Sequence, residues 1–285
     1  MNNNSGILLL GANGFIGKRL VQKLRENFPD AILTCWSGEH DIRNNSIIDE
    51  IVSLNPEIII VASGRSFVPD SWSSPGDFYI TNTTGAIHIA EAARISKARI
   101  IFLSTFVYGE PYVLPIKETN SIQPFNPYAS SKYLAEQVFK DYSGFFGIEI
   151  NVLRLFNVYG KGQREDFLVP MLINQYQTGD QILVRDLNPK RDYVHVDDVL
   201  SAILASLKHF NKFQIYNVAG GKSYSVKEVI DVIFNIGGKS KPVINEKQSR
   251  PNEVADTLAD ISKIKNELGW EPTVSLKKGI SEMLN

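Results

Sequence analysis

The sequence predicts an α/β protein with a doubly wound parallel sheet, followed by a smaller α/β domain. Three observations support this fold class. Short aliphatic runs alternate with helical stretches, a glycine-rich turn follows the first run, and the rhythm changes after about residue 157. Aliphatic strands that alternate with helices are typical of a parallel sheet that is covered on both faces. Right-handed crossovers then wind the chain in both directions from the middle of the sheet.

Five strands are predicted in the first half, each a short run rich in Ile, Val and Leu. The predicted strands are 7–10, 31–36, 57–62, 99–103 and 148–155. Apolar residues with helical periodicity predict the helices between them. These predicted helices are 15–28, 46–54, 84–96 and 128–142. The resulting order of elements predicts a first domain over residues 1–157.

The second half has longer loops and recurring prolines, which predict a smaller domain over residues 158–285. Short helices are predicted at 168–177, 197–208 and 226–236. We expect the chain from about 190 to 210 to return to the first domain.

The composition excludes several classes of protein. The 285 residues carry 30 Lys plus Arg and 31 Asp plus Glu, so a protein that binds nucleic acid through bulk positive charge is not expected. A single cysteine, Cys35, excludes an intrachain disulfide framework and fits a reducing compartment. There is no run of about 18 apolar residues and no signal-peptide pattern, so we expect a cytoplasmic protein without a membrane partner.

Histidines give no indication of a metal site. His40 and His88 do not have the spacing of metal ligands, and we expect no bound metal. His195 is expected to have a structural role rather than a catalytic one.

A glycine-rich turn directly after the first strand predicts a dinucleotide site. Its glycines have the spacing GxxGxxG, and a helix begins within the turn. One glycine permits the tight turn, the next lets the backbone approach a pyrophosphate, and the third allows close helix–strand packing. Free N–H groups at the helix start face the anion. The predicted cofactor contacts in this turn are Gly11, Asn13, Gly14, Phe15, Ile16 and Gly17.

The end of the second strand bears on the choice of cofactor. Dinucleotide folds usually carry an acid there, which binds the adenosine ribose, whereas this strand ends with Ser37 and Gly38. These two residues leave room for a 2′-phosphate, and Arg19 or Arg43 could supply the charge. This favours NADP(H). NAD(H) is possible if Glu39 reaches back to the ribose.

Further cofactor contacts are predicted where the next elements end. Asp41 and Ile42 are suited to the adenine edge, through a carboxylate and the backbone. The residues after the third strand are also candidates, and they are Ala62, Ser63 and Gly64.

Tyr128 and Lys132 form a YxxxK pattern at a predicted helix start. Positions i and i+4 share one face of a helix, so the phenol and the ammonium can converge. The ammonium favours the phenolate, which tunes tyrosine toward proton exchange near neutral pH. An exposed Tyr and Lys would be the simpler interpretation of an isolated match. Ser104, at the end of the fourth strand, is placed to bond a substrate oxygen, with Thr105 as the second choice.

Together these motifs resemble the extended short-chain dehydrogenases/reductases, the group of nucleotide-sugar epimerases, dehydratases and reductases. The matching segments are 11–17, 41–42, 81–85, 104–109, 128–132, 154–160, 191–199, 216–220, 250–253 and 268–272. The resemblance implies a Rossmann domain in which Tyr128 is the acid/base on the sugar C4 oxygen and Lys132 holds the nicotinamide ribose. It also implies that Asn82 is a structural and cofactor-side residue, although a helix-start cap is an equal alternative.

The resemblance implies a nucleotide-diphosphate sugar as substrate. Arg191 and Arg250 lie in segments that contact the substrate phosphates in the family, and arginine gives bidentate phosphate contacts. A surface ion pair is the alternative role for Arg191. The candidate substrate contacts are Ser104, Asn157, Arg164, Phe167, Leu168, Arg191 and Arg250.

Three reactions are associated with this family. Its dehydratases carry an Asp-Glu pair after the catalytic hydroxyl, where this chain has Thr105 and Phe106, so dehydration is disfavoured. A 4-ketoreductase needs only hydride from NADPH and a proton from Tyr128. We therefore expect NADPH-dependent reduction of the C4 keto group of a nucleotide-linked 4-keto-6-deoxyhexose, for example dTDP-linked. Such deoxysugars are precursors of surface polysaccharides, including the lipopolysaccharide O-antigen.

Two alternatives stay open. An NAD-dependent nucleotide-sugar 4-epimerase is the first, although such enzymes usually have an acid after the second strand and a longer chain. A non-catalytic NAD(P)-binding regulator is the second, since a fold does not fix a function. The intact Ser104, Tyr128 and Lys132 argue against a regulator. The family resemblance also suggests a homodimer.

Overall fold

The computed structural model describes residues 6–248 and 253–285. These residues form two units. The first contains Met1–Tyr108, Ile122–Arg154 and Leu200–Tyr216. The second contains Gly109–Ser121, Leu155–Val199 and Asn217–Asn285. Each unit is therefore built from segments that are distant in the chain.

The strands are, in chain order, β1 (Gly6–Leu10), β2 (Ile32–Trp36), β3 (Ile58–Val61), β4 (Arg99–Thr105), β5 (Ile150–Leu155), β6 (Asn157–Tyr159), β7 (Ile182–Val184), β8 (Lys190–His195), β9 (Phe213–Val218), β10 (Ser223–Ser225) and β11 (Val243–Asn245). Six of them form the central sheet in the order β2-β1-β3-β4-β5-β9. The β1–β2, β1–β3 and β3–β4 pairs are parallel. The winding reverses at β1, which confirms the predicted doubly wound parallel sheet.

The helices are, in chain order, α1 (Phe15–Asn27), α2 (Ile47–Leu54), α3 (Val68–Ser73), α4 (Pro75–Phe78), α5 (Gly85–Ser96), α6 (Pro127–Phe146), α7 (Leu168–Thr178), α8 (Val196–Ser206), α9 (Val226–Gly237), α10 (Ser262–Leu268) and α11 (Leu276–Leu284). A π-helical turn (Tyr79–Thr84) leads into α5. No described helix combines the length and the apolar character that crossing a membrane requires.

The core of the first unit follows from strand alternation. Successive strand residues point to opposite faces of a sheet, and alternate residues of β1, β3, β4 and β5 pack on one face against α2, α5 and α6. The small residues of α5, among them Ala86, Ala90 and Ala93, are buried there. They let the helices approach the sheet and each other closely, as the Ala-rich sequence predicts.

Helix α6 has clear start and stop signals. The side chain of Asn126 accepts a hydrogen bond from the Ala129 backbone N–H at 2.8 Å, and Pro127 is the first helical residue. Both are favoured at a helix start, because they satisfy or remove N–H groups that have no helical partner. Gly147 ends the helix with a φ of 72°, which a residue without Cβ adopts readily. The helix is therefore longer than the predicted 128–142.

The second unit has two small sheets. One has the order β10-β8-β6, with β8–β10 antiparallel and β6–β8 parallel, and the other pairs β7 with β11. Apolar residues of α7, α9 and α11 pack around them in a separate core. A capping box at Ser225 and Glu228 starts α9, the motif that satisfies two N–H groups reciprocally.

Candidate active site

The glycine turn packs tightly against the segment after β3. Gly11 has a φ of 88°, and a Cβ there would lie 2.6 Å from the Ser63 backbone nitrogen. A Cβ on Gly17 would lie 2.1 Å from the Gly11 carbonyl oxygen. Glycine is therefore required at both positions by packing alone. Gly14 differs, because a Cβ there would approach only the Gly11 oxygen, at 3.3 Å.

The start of α1 can receive an anion. Gly14 and Asn13 are exposed, and the first turn of α1 contains no acidic residue. Phe15 and Ile16 are half-buried within this turn. Among the described residues, the buried hydroxyl of Ser63 has no hydrogen-bond partner. The exposed helix start and this hydroxyl are both available to a phosphate-bearing ligand.

Charged groups at the end of β2 are engaged with one another. Ser37 donates a hydrogen bond of 2.7 Å to the Glu39 carboxylate, which lowers the pKa of Glu39. Arg43 donates to both oxygens of Asp41, through Nε at 2.9 Å and Nη2 at 2.6 Å. Arg43, one of the two cations considered for a 2′-phosphate, is thus paired with the carboxylate expected to bind adenine. A Cβ on Gly38 would meet nothing within 4 Å.

Ile42 is fixed by α5. Its side chain is buried, and a Cβ on Gly85 would lie 2.8 Å from its Cδ1 atom. Its carbonyl oxygen lies 2.8 Å from Nδ1 of His88. The contacts of the Ile42 side chain and carbonyl are therefore with α5.

Asn82 connects two segments of the site from within the π-helical turn. It accepts a hydrogen bond from the Arg65 N–H and donates to the Arg65 carbonyl, both at 3.0 Å. It also donates to the Ser131 hydroxyl at 2.9 Å. Gly64, at a φ of 141°, is required here, because its Cβ would lie 2.7 Å from Asn82 Oδ1. Asn82 is therefore a bridge between the segment after β3 and helix α6 rather than a helix-start cap.

Tyr128 lies one residue into α6 and contacts the end of β4. The hydroxyl of Thr105 lies beside its phenol. Burial raises the pKa of Tyr128, and the interaction with the Thr105 side chain opposes that effect. The ring packs edge-on against Phe78, with 6.2 Å between the ring centroids. The predicted acid/base is thus held from two sides.

Lys132 is buried one helical turn after Tyr128. Its Nζ atom lies 4.0 Å from the centroid of the Phe102 ring, a cation–π contact. Burial lowers the pKa of Lys132 to about 7, while the charge of Glu136 opposes that effect. A Cβ on Gly64 would lie 3.9 Å from Nζ. The ammonium therefore faces the segment that follows β3.

Ser104 has a different environment from the one the sequence predicts. It is 3% exposed, and its hydroxyl donates to the Glu136 carboxylate. Both residues therefore contact α6, Ser104 through Glu136 and Thr105, the last residue of β4, through the Tyr128 phenol. Glu136 and Arg154, which complete this network, were not predicted from the sequence. The i+4 spacing of Glu136 from Lys132 is the signal that could have indicated it.

The substrate candidates of the second unit are partly engaged with neighbours. Arg191 forms an ion pair with Glu253 and donates to the carbonyls of Lys190 and Val254, each at 2.7 Å. Its alternative role as an ion-pair partner is thus present in the structure. Asn157 donates to the carbonyl of residue 192 at 3.4 Å.

Four further candidates remain, three around the start of α7 and one outside the described residues. Arg164 is exposed and paired with Asp166. Phe167 precedes α7, and Leu168 is its first residue and packs against the core of the second unit. Arg250 lies outside the described residues.

His195 belongs to a small polar group in the second unit. Its ring nitrogens and the carboxylates of Asp197 and Glu282 offer ligand atoms within 4.8 Å of one another. However, both acids are exposed, and Nδ1 of His195 accepts the Asp197 backbone N–H at 3.4 Å. Hydrogen bonding of a buried histidine explains this group, and the absence of a bound metal stays a prediction.

Residues 36–283 match the family model described as GDP-mannose 4,6 dehydratase. The chain belongs to this family. A protein of Methanocaldococcus jannaschii, provisionally named UDP-glucose 4-epimerase, is 36% identical, over 98% of this chain and 97% of that protein. GDP-6-deoxy-D-mannose reductase of Pseudomonas aeruginosa is 26% identical, over 98% of this chain and 96% of its own. Both relatives are named for reactions on nucleotide sugars.

Two solved structures have the same fold. UDP-glucose 4-epimerase of Thermotoga maritima, determined with UDP-glucose, has a TM-score of 0.90 and 29% identity, and the match covers 98% of this chain and 97% of the other. RMD from Pseudomonas aeruginosa, determined with NADPH, has a TM-score of 0.90 and 25% identity, covering 99% and 98%. Two proteins of equal similarity in fold to this chain thus bind UDP-glucose in one case and NADPH in the other.

The lowered pKa of Lys132 predicts how stability depends on pH. The unfolded chain holds this proton up to the usual pKa of 10.5, whereas the folded protein releases it near pH 7. Between these values the unfolded state binds more protons, so stability rises with pH. We expect the free energy of unfolding to rise above pH 7 relative to the Lys132→Met variant, and to run parallel to it below pH 7. Urea titrations of both proteins across this range check it; parallel curves throughout would contradict the prediction.

Proposed function

We propose that this protein transfers a hydride between a nicotinamide cofactor and C4 of a nucleotide-linked hexose. The observation that carries the proposal is the cluster of Thr105, Tyr128 and Lys132 at the end of β4. This is the edge of an open α/β sheet where ligands bind. A phenol, a hydroxyl and a buried ammonium are the groups needed to move one proton on and off a sugar oxygen.

The glycine turn supports a dinucleotide as the cofactor. The exposed Gly14 at the start of α1 fits the pyrophosphate, and the unpartnered Ser63 hydroxyl can donate to the same ligand. Ser37 and Glu39 would bind the adenosine ribose, and Asn82 would hold the cofactor side of the site in place. When bound, the nicotinamide ring supplies or accepts the hydride.

The chain's own groups would move the proton. In the direction of reduction Tyr128 donates its phenolic proton to the C4 oxygen, and in the direction of oxidation the phenolate accepts it. The Lys132 ammonium stabilises the phenolate. We assign the partner hydroxyl to Thr105 rather than Ser104, because Thr105 contacts the phenol while the hydroxyl of Ser104 donates to Glu136.

The second unit would supply the contacts to the nucleotide diphosphate. We propose that Arg191 binds a phosphate by exchanging its Glu253 partner for the ligand, since both anions can accept two parallel hydrogen bonds from a guanidinium. Asn157 is proposed to contact the sugar nucleotide. The remaining candidates for this role are Arg164, Phe167, Leu168 and Arg250.

Reduction of a 4-keto-6-deoxyhexose is the first candidate for the net reaction. Thr105 and Phe106 stand where dehydratases of the family carry acids, so the keto sugar would come from another enzyme. Gly38 leaves the end of β2 sterically open, as a 2′-phosphate of NADPH requires. The relatives named GDP-6-deoxy-D-mannose reductase and RMD, the latter with NADPH, support this candidate.

Epimerisation at C4 is the second candidate, and the charges at the end of β2 favour it. Arg43 is bound by Asp41, and Glu39 stands where an acid can bind the ribose hydroxyls of NAD. The relative provisionally named UDP-glucose 4-epimerase has 97% of its length covered by this chain, so a short chain does not argue against an epimerase.

Loss of the phenol is expected to slow turnover strongly. Tyr128→Phe removes the proton donor, and a positioned acid/base contributes about 10²–10⁴-fold. We expect kcat to fall by about that factor, while cofactor affinity, measured by fluorescence titration, stays nearly unchanged. Tyr133→Phe, which removes a hydroxyl from the same helix, is the control and is expected to keep full activity.

Matched variants on β4 extend this test. Thr105→Val is expected to reduce kcat more than Ser104→Ala, because only Thr105 contacts the phenol. Full activity of Tyr128→Phe would contradict the assignment of Tyr128 as the acid/base. A larger effect of Ser104→Ala would return the hydroxyl role to Ser104.

Reductase and epimerase differ in the fate of the cofactor. A panel of dTDP-, GDP-, CDP- and UDP-linked sugars, each offered as the 4-keto-6-deoxy form and as the parent hexose, separates them. Stoichiometric loss of NADPH absorbance with a keto sugar means a reductase. Interconversion of two hexoses with catalytic NAD, detected by chromatography, means an epimerase. If the protein acts on neither the keto sugars nor the parent hexoses, the proposed chemistry is contradicted.

We propose further that two chains associate through α5 and α6. Both helices keep large apolar side chains exposed, with Ile87 at 41%, Ile95 at 46% and Leu134 at 42% exposure, and clustered exposed apolar groups mark association surfaces. Sedimentation equilibrium is expected to give twice the mass of one chain for the parent protein. The double variant Ile87→Glu/Leu134→Glu is expected to give the mass of one chain. A monomeric parent protein would contradict this.

A further inference from the structure

Glu136 is a completely buried acid in the middle of α6, with 0% exposure. Arg154, from β5, donates to it in a fork, with Nε 3.1 Å from Oε1 and Nη2 2.6 Å from Oε2. The Ser104 hydroxyl from β4 also donates to Oε1. Nη1 of Arg154 donates to the Tyr108 hydroxyl at 2.8 Å. One carboxylate therefore ties α6 to two neighbouring strands.

Burial of this carboxylate needs compensation. A carboxylate removed from water costs several kcal/mol unless it is paired and hydrogen-bonded, and here the fork from Arg154 and the Ser104 hydroxyl supply donors to its oxygens. Apolar residues of similar volume would often be as stable in such a place. The presence of a charged pair directly behind the reaction cluster therefore suggests a use for its charge.

The use is indicated by the spacing along α6. Tyr128, Lys132 and Glu136 follow each other at intervals of four residues, so they lie along one face of the helix. Lys132 is buried against the Phe102 ring, which is a poor substitute for water around an ammonium. Glu136 is the charge that favours the ammonium form of this lysine.

Other elements also pack around this end of α6. In the segment after β3, the residue that faces Lys132 is Gly64, which carries no charge. The adjacent Arg65 forms an ion pair with Asp77 at 2.9 Å. Among the described residues, the charged or titratable side chains of the cluster and its network are Tyr108, Tyr128, Lys132, Glu136 and Arg154.

We propose that Glu136 is a positioning residue that keeps Lys132 in its charged form and aligns the end of β4 with α6, resting on the proposed role of Lys132 in C4 oxidoreduction. It touches neither substrate nor cofactor in this proposal. It acts through Lys132 by its charge and through Ser104 by a hydrogen bond, since Ser104 directly precedes Thr105 in β4.

The test follows the proton of Lys132 directly. The protein is labelled with lysine carrying ¹³C at Cε, and the Lys132 signal is assigned as the one missing from Lys132→Met. Its chemical shift is followed against pH in the parent protein and in Glu136→Gln, which keeps the shape of the side chain and removes its charge. We expect the midpoint to move to lower pH by at least about one unit, the effect of losing one nearby opposite charge.

Two controls separate charge from structure. Asp141→Asn removes an exposed carboxylate from the same helix and is expected to leave the midpoint in place. Ser104→Ala removes the hydrogen bond to Glu136 but keeps the charge, and its midpoint is expected to stay within a few tenths of a unit of the parent. A folded Glu136→Gln protein with the parent midpoint overturns the proposal.

Glu136→Gln leaves Arg154 as a buried unpaired charge, which can prevent folding. The double variant Glu136→Gln/Arg154→Met removes both charges and keeps the test decisive. Because Glu136 is the charge that acts on Lys132, a lowered midpoint in this variant supports the proposal, and a parent midpoint overturns it. The titration needs no substrate. Its result can therefore be interpreted even if the protein does not catalyse the proposed reaction.

Discussion

The buried ion pair between Glu136 and Arg154 is the interaction on which the relative position of α6 and the neighbouring strands depends. Helix α6 carries Tyr128 and Lys132, whereas Thr105 comes from β4, so the cluster exists only if helix and strands keep one relative position. Apolar contacts give affinity between a helix and a sheet but little register. A bidentate pair with defined hydrogen-bond directions fixes that register, and the Ser104 hydroxyl extends it to the residue beside Thr105.

The predictable part of this fold is the part governed by short-range periodicity. The runs at β1 and β3 are buried on both faces, so their aliphatic sequences identify them directly. Strand β9 was not predicted, because its sequence FQIYNV mixes polar and apolar residues and follows a loop. For this reason five strands were predicted for the sheet of the first domain, whereas the central sheet has six. The extent of α6 could have been read from Asn126 and Gly147, which are local signals.

The candidate site was predicted in its residue types more than in its contacts. The spacing of Tyr128 and Lys132 is local to one helix, and the structure keeps them one turn apart. The choice between Ser104 and Thr105 depends on which residue of α6 each hydroxyl meets, and no local pattern in the sequence fixes that. The pairing of Arg43 with Asp41 likewise depends on loop geometry. Arg43 was therefore predicted to be available to a phosphate, although Asp41 already binds it.

The first unit is discontinuous along the chain, which affects its folding during synthesis and the design of fragments. Its sheet ends in β9, which covers the edge of β5 and belongs to a segment that returns after the chain has entered the second unit. A ribosome that has released only the first 154 residues has therefore produced a sheet with an open, strongly apolar edge, the kind of surface that pairs with other chains. Fragments of the first unit that end at residue 154 are expected to aggregate, and a stable fragment would have to include the returning segment 200–216.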